Sequence, residues 1–91
     1  MAHDGPYRAS WLPQAAQAMR RAAQSAEGRD LTQVVRAIMA RLTSDPTGFG
    51  DIYRSRGVIH EYLAALDGVA INFAVDTQRG YVVVRTFNVL S

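Results

Sequence analysis

The chain has 91 residues, of which 48% are apolar and 20% are charged. This size and balance predict one modest hydrophobic core and exclude both a two-domain chain and a largely disordered one. No run approaches the roughly 18–20 apolar residues of a membrane span, and there is no cysteine for a disulfide or a cysteine-bound zinc. We therefore expect a single domain over residues 1–91, loosely held at residues 1–6, in a cytoplasmic protein with no membrane partner, metal or cofactor.

Arginine supplies all ten basic residues, there is no lysine, and the net charge is only +2. A guanidinium is permanently charged and planar, and its donors match phosphate and carboxylate groups. Five arginines fall in the two predicted helices or in the short link between them. Acidic residues are nearly as numerous and no aromatic residue lies among these five, which favours solvated helix faces over a nucleic-acid surface. They are Arg20, Arg21, Arg29, Arg36 and Arg41.

The first half of the chain predicts a short strand and two helices. Residues 7–11 predict an extended segment, and Pro13 suits the first turn of a helix. Residues 13–26 are rich in alanine and lack glycine, so their helix propensity is high. Residues 30–43 predict a second helix, with Asp30 as its N-cap and apolar residues at helical spacing. The short link between the two makes them an αα-hairpin.

The second half predicts strands. Residues 47–57 hold three glycines and predict a loop, whereas residues 58–66 fit a helix or a strand, and the strands that follow favour the strand. Residues 69–75 alternate strictly, and residues 81–90 are β-branched and aromatic. The predicted order is β-α-α-β-β-β, an α+β fold with the αα-hairpin on one face of a small antiparallel sheet. The predicted core residues are Val35, Ile38, Leu42, Ile71 and Phe73.

Residues near the second predicted strand are candidates for chemistry. Arg54 and Arg56 lie in the predicted loop and could hold phosphates, the alternative being solvated loop arginines. In the strand itself, His60 and Tyr62 face one way and Glu61 the other. An imidazole beside a phenol can transfer protons, the alternative being a half-buried pair that packs and hydrogen-bonds.

Arg85 interrupts the most hydrophobic predicted strand, where alternation gives it a face with Tyr81, Val83 and Phe87. An arginine keeps its proton, so it must meet a carboxylate, an anion or water. We expect it on the sheet face away from the helices or near the rim of that face, with Glu61 as the leading candidate for the carboxylate. Anion binding and a structural salt bridge are both open. Arg79 lies in the predicted turn 76–80, where solvation is the ordinary outcome.

Three stretches together resemble the RelE/ParE toxin superfamily. They are YRASWLP at 7–13, AIMARLTSDPTGFG at 37–50 and GVAINFAVDTQRGYVVV at 68–84. The resemblance implies the toxin of a bacterial type II toxin–antitoxin pair, bound by an antitoxin protein. Such toxins act on mRNA at the ribosome, as endoribonucleases, or on DNA gyrase.

The chain departs from the ribonuclease branch of that superfamily at three places. The branch carries basic residues where this chain has His60 and Tyr62, and an arginine where it has Ala70. The branch also ends in a catalytic base or tyrosine, whereas this chain ends in NVLS. The candidate catalytic residues are therefore His60, Glu61 and Arg85. The candidate nucleic-acid contacts are Arg54, Arg56 and Arg79.

Two functions remain open at this point. The first is a RelE/ParE-like toxin. The second is a non-catalytic protein-interaction module on the same fold, for example a homodimer, and Ala70 favours it. Poisoning of DNA gyrase does not depend on the ribonuclease residues. Their absence is therefore weaker evidence against a toxin that acts on gyrase than against a ribonuclease.

Overall fold

The computed structural model describes residues 5–25 and 30–90. Within these ranges two helices and five strands follow one another, with a single 3-10 turn at Pro46–Gly48. They are β1 (Arg8–Trp11), α1 (Pro13–Ser25), α2 (Thr32–Ser44), β2 (Asp51–Arg56), β3 (Ile59–Leu66), β4 (Val69–Asp76) and β5 (Tyr81–Val89). The predicted end of the first helix at Ala26, and residues 1–4 of the segment expected to be loose, lie outside the described residues.

The five strands form one sheet in the order β1-β5-β4-β3-β2. The α+β fold with its helical hairpin on one face is confirmed, with two differences. β1 pairs with β5 in parallel, so the sheet is mixed rather than antiparallel. β2 is an additional strand, paired with β3 at the sheet edge.

β2 lies inside the segment that the sequence predicts to be a loop. All six of its residues are exposed, so neither face of the strand is selected for apolar side chains and no alternation develops. The glycines that predict the loop mark its ends instead. Gly50 and Gly57 adopt positive φ values of 94° and 59° on either side of the strand. Arg54 and Arg56 are therefore edge-strand residues, and their assignment to a loop was wrong.

The helices cover one face of the sheet because alternate residues of β4 are apolar and point toward them. Val69, Ile71, Phe73 and Val75 are at most 2% exposed, whereas the residues between them are half-buried. Ile38 and Leu42 of α2 pack into the same cluster. These observations confirm four of the five predicted core residues.

Val35 is the exception among the predicted core residues, since it is only half-buried. The buried stripe of α2 runs through Val34, Ile38 and Leu42, and Val35 lies beside that stripe. It lines a groove between the two helices, together with Met19 and Met39. The position is therefore packed on one side only.

α2 begins at Thr32 with Leu31 at the N-cap position and no side-chain cap bond there, so the prediction of Asp30 as the N-cap was wrong by one residue. The backbone N–H of Thr32 donates a hydrogen bond to the Asp30 carboxylate at 2.8 Å. That bond lowers the pKa of the Asp30 carboxyl. An aspartate at this position also complements the positive end of the helix dipole.

Candidate functional site

The sheet face opposite the helices carries the candidate site. On this face β4 contributes the half-buried Asn72 and Ala74, neither of which is bulky. In register with Ala74 lie Glu61 of β3 and Val83 of β5, and Arg54 of β2 lies opposite Glu61. The floor of the face is thus made of small side chains, with charged residues on the flanking strands.

Glu61 lies at the centre of this face and is only 6% exposed. Its Oε1 forms an ion pair with Nη1 of Arg85, and its Oε2 lies 3.5 Å from Nε of Arg54. The hydroxyl of Tyr53 donates to Oε1 at 3.3 Å. A buried carboxylate is costly unless donors surround it, and these three side chains provide them.

Two β-bulges lie beside these donors, and the one in β2 brings Tyr53 to the face. In β2 the register with β3 skips Tyr53, between Ile52 and Arg54. A bulge places two residues opposite one on the partner strand, so neighbouring side chains project to the same face instead of alternating. Tyr53 and Arg54 both reach Glu61 for this reason.

The second bulge lies in β5, where Asn72 pairs with Thr86 and Phe73 with Val84, so that Arg85 is skipped. The extra residue shifts the alternation beyond it. Phe87 is 3% exposed in the core, with its ring centroid 5.8 Å from that of Trp11. The expectation that Arg85 and Phe87 share a face was therefore wrong.

The contact between Arg85 and Glu61 spans the intervening strand β4. Adjacent strands lie about 4.8 Å apart, so the two backbones are separated by roughly twice that distance. Only a long side chain can cross such a gap, and the residue of β4 over which it passes must have a short side chain. Arg85 is long, and Ala74 in the row of Glu61 leaves the space open.

Asn72 extends the network of hydrogen bonds. Its Nδ2 donates to the Tyr53 hydroxyl at 2.6 Å, and that hydroxyl donates to Glu61. The Oδ1 atom of Asn72 is buried and has no partner in the described part of the chain. Neither Tyr53 nor Asn72 was predicted as a site residue. The sequence does carry a signal for Asn72, which is a polar residue within the apolar alternation of β4. It carries no such signal for Tyr53, which lies in a segment predicted to be a loop.

His60 lies on the opposite face of the sheet, as the alternation with Glu61 predicts. It pairs with Val75 of the core face, and its Nδ1 lies 2.8 Å from the Ser55 hydroxyl oxygen. Tyr62, on the same face, is buried, and burial raises the pKa of its phenol. Of the three candidate catalytic residues, the structure brings Glu61 and Arg85 together and places His60 across the sheet.

The remaining candidate arginines lie toward one end of the sheet. Arg56 is exposed and pairs with Ile59 in the last row before the β2–β3 turn. Arg79 lies in the β4–β5 turn, where its Nη1 is 3.0 Å from the Asp76 carboxylate. Asp76 also accepts hydrogen bonds from the backbone N–H groups of Gln78 and Arg79, which lower its pKa. Arg79 therefore has a structural contact in the turn, apart from the Glu61 network.

Within residues 5–25 and 30–90, no group of three or more histidine, aspartate or glutamate side chains is placed to hold a metal ion. In the same ranges, no helix has the length and apolar character needed to cross a membrane.

Comparison with known proteins identifies the class of fold. No protein-family model and no curated protein matches the sequence. The structure is similar to a chain of the archaeal RelE–RelB complex from Pyrococcus horikoshii OT3. The TM-score is 0.74 at 14% sequence identity, over 91% of this chain and 93% of that chain. At that identity the likeness shows the fold alone, and the chain has a RelE-like fold.

Proposed function

We propose that this chain is the toxin component of a toxin–antitoxin pair, a single domain over residues 1–91 that acts in the cytoplasm and is neutralised by an antitoxin protein. The observation that carries the proposal is the RelE-like fold, since the similar structure is that of a RelE–RelB complex. The uncovered sheet face adds support, because two half-exposed arginines lie on it around one carboxylate. Guanidinium groups in that setting suit a phosphodiester.

The target we propose is mRNA on the ribosome. Arg54 and Arg85 would hold phosphate groups of the RNA, and Arg56 would extend the contact along β2. Glu61 would accept the proton from the attacking hydroxyl, because its carboxylate lies next to the place where the two arginines would hold the phosphate. His60 cannot share this task from the other face of the sheet. Arg79 stays a predicted nucleic-acid contact at the β4–β5 turn.

A growth assay tests the proposal. The chain is expressed from an inducible promoter, with and without the adjacent gene, and the expected result is arrest that co-expression relieves. Primer extension on cellular mRNA then distinguishes cleavage in translated frames from inhibition of gyrase, which is followed by plasmid supercoiling. Unimpaired growth at a verified level of folded protein would contradict a toxin.

A non-catalytic interaction module is the second candidate, and the Glu61 network favours it. A carboxylate that already holds two arginines leaves them less available to substrate, and Ala70 stands where the ribonuclease branch has an arginine. This candidate predicts a stable complex, with the partner gene product or as a homodimer, and no toxicity. Light scattering of the purified chain, alone and with the partner, tests it.

A further inference from the structure

Arg54 and Arg85 form a small arginine cluster, and the Glu61 carboxylate lies in it where a bound anion would lie. The Glu61 side chain is 8% exposed, whereas those of Arg54 and Arg85 are 52% and 45% exposed. The carboxylate therefore lies at the bottom of the cluster, and the two guanidinium groups reach over it from opposite sides. An external anion that approached this face would meet the arginines first and find their inner donors in use.

The arginines are held by few contacts. In the described ranges the only side-chain partner of either guanidinium is Glu61, through one nitrogen each: Nε of Arg54 and Nη1 of Arg85. A guanidinium carries five N–H donors in a planar fork. Most of its donors thus remain open to a second anion, and the nearby carboxylate repels that anion.

We propose that the Glu61 carboxylate acts as an internal anion that competes with phosphate for Arg54 and Arg85, so that a phosphate group binds tightly only where Glu61 has been displaced or neutralised. The inference rests on the phosphate-holding role given to these arginines under the proposed function, and it adds the regulation of that site. Displacement of Glu61 by a phosphodiester would also free the carboxylate to accept a proton, so that binding would prepare the base.

Binding of a short fluorescent single-stranded oligoribonucleotide, followed by anisotropy at fixed low salt, tests the proposal. Glu61→Gln keeps the size and hydrogen-bonding capacity of the side chain and removes its charge. We expect it to bind the oligonucleotide about tenfold more tightly than the unmodified chain, since a nearby like charge weakens the binding of an anion by a factor of about that order. Adding Arg85→Gln to Glu61→Gln should abolish the gain.

Asp30→Asn is the matched control for net charge. It removes one negative charge on the helical side of the molecule, and the amide oxygen of asparagine can still accept the hydrogen bond from the Thr32 N–H. We expect less than about a twofold change in affinity, because an exposed and distant charge is screened by salt. Equal gains for Glu61→Gln and Asp30→Asn would overturn the proposal, as would unchanged or weaker binding by folded Glu61→Gln.

Ala74→Leu tests the same competition without a change of charge. It can be measured even where Glu61→Gln fails to fold. Leucine fills the space that Arg85 uses to cross β4, so Arg85 should separate from Glu61 and bind the oligonucleotide more tightly. Ala74→Ser is its size control and should behave as the unmodified chain does. Unchanged affinity in folded Ala74→Leu would count against the competition.

The same variants separate this inference from the proposed function. A chain that arrests growth but shows no gain of binding in Glu61→Gln would refute the internal anion and leave the toxin intact. A clear gain of binding without any growth arrest would support the internal anion and refute the toxin.

Discussion

Gly50 lies just before β2 and determines how that strand joins the sheet. Its replacement by alanine should carry two costs, one from the positive φ of the backbone and one from the close approach of β3. Its φ of +94° lies outside the regions that residues with a side chain normally occupy. A Cβ at this position would overlap the carbonyl oxygen of Leu63 and lie 2.7 Å from the Cβ of Ala64. Gly57, at the other end of β2, also has a positive φ, but no atom lies within 4 Å of a Cβ added there. Gly57→Ala thus reports the backbone cost alone.

The two costs differ in size. An alanine in the left-handed region costs about 1 kcal/mol, so Gly57→Ala should lower Tm by about 4–8 °C. Gly50→Ala adds the displacement of β2 from β3, which brings its total to about 3 kcal/mol. Its Tm should fall by about 12–24 °C. Such a loss is large for a domain whose free energy of unfolding is of the order of 5 kcal/mol.

Differential scanning fluorimetry and amide hydrogen exchange of β2 measure these effects. Gly50→Ala should also speed exchange along β2 and loosen Arg54 from Glu61, since β2 carries that arginine to the site. Equal losses of Tm in the two variants would show that the close approach to Leu63 is relieved at no cost, and would refute the reasoning.

Three further predictions concern the core, the ion pair and the acid limit of stability. Phe73→Ala should lower the free energy of unfolding by about 3–5 kcal/mol in urea, because Phe73 is fully buried between the rings of Phe49 and Tyr62. Because Val35 is only half-buried, Val35→Ala should lower the free energy of unfolding by about 1 kcal/mol or less. Equal losses in Phe73→Ala and Val35→Ala would contradict this description of the core. A double-mutant cycle with Arg85→Leu and Glu61→Gln should give a coupling of about 1 kcal/mol, because the arginine is half-exposed; zero coupling would refute a stabilising pair. The lowered pKa of Asp76 means that its carboxylate stabilises the fold above the unfolded-state pKa and that this contribution is lost as the pH falls through the folded-state value. Asp76→Asn should therefore flatten the decline of Tm below about pH 4, and an unchanged slope would count against this assignment.

The helices and the central strand could be predicted because burial on one side leaves a period in the sequence. α2 buries Val34, Ile38 and Leu42, one or two turns apart, and β4 buries every second residue from Val69 to Val75. β2 has no buried side to impose a period. The parallel pairing of β1 with β5 joins the start of the chain to its end, and no local pattern records such a partner.

Part of the candidate site could be predicted from electrostatics. An arginine inside an apolar strand needs a carboxylate, acids are few in the neighbouring strands, and Arg85 does meet Glu61. Strict alternation also separates His60 from Glu61, which the structure bears out. Tyr53 and Asn72 join the network through tertiary contacts of β2 with β4, a relation that depends on a strand the sequence does not predict.

The bulge in β5 explains how one strand places apolar side chains in the core and two successive polar side chains on the uncovered face. Without it, strict alternation after Val84 would put Thr86 in the core and Phe87 on the uncovered face. The extra residue lets Arg85 and Thr86 both leave the core while Val84 and Phe87 stay buried at 0% and 3% exposure. Two successive polar residues between two large apolar ones, VRTF at 84–87, are the mark of this arrangement in the sequence. A deletion of Thr86 would restore simple alternation and keep Phe87 in the core. It would leave Arg85 on the uncovered face without the local twist of the bulge. The extra residue in β5 therefore places a second polar side chain, that of Thr86, on the uncovered face without moving Phe87 out of the core, whereas Arg85 faces Glu61 by alternation alone.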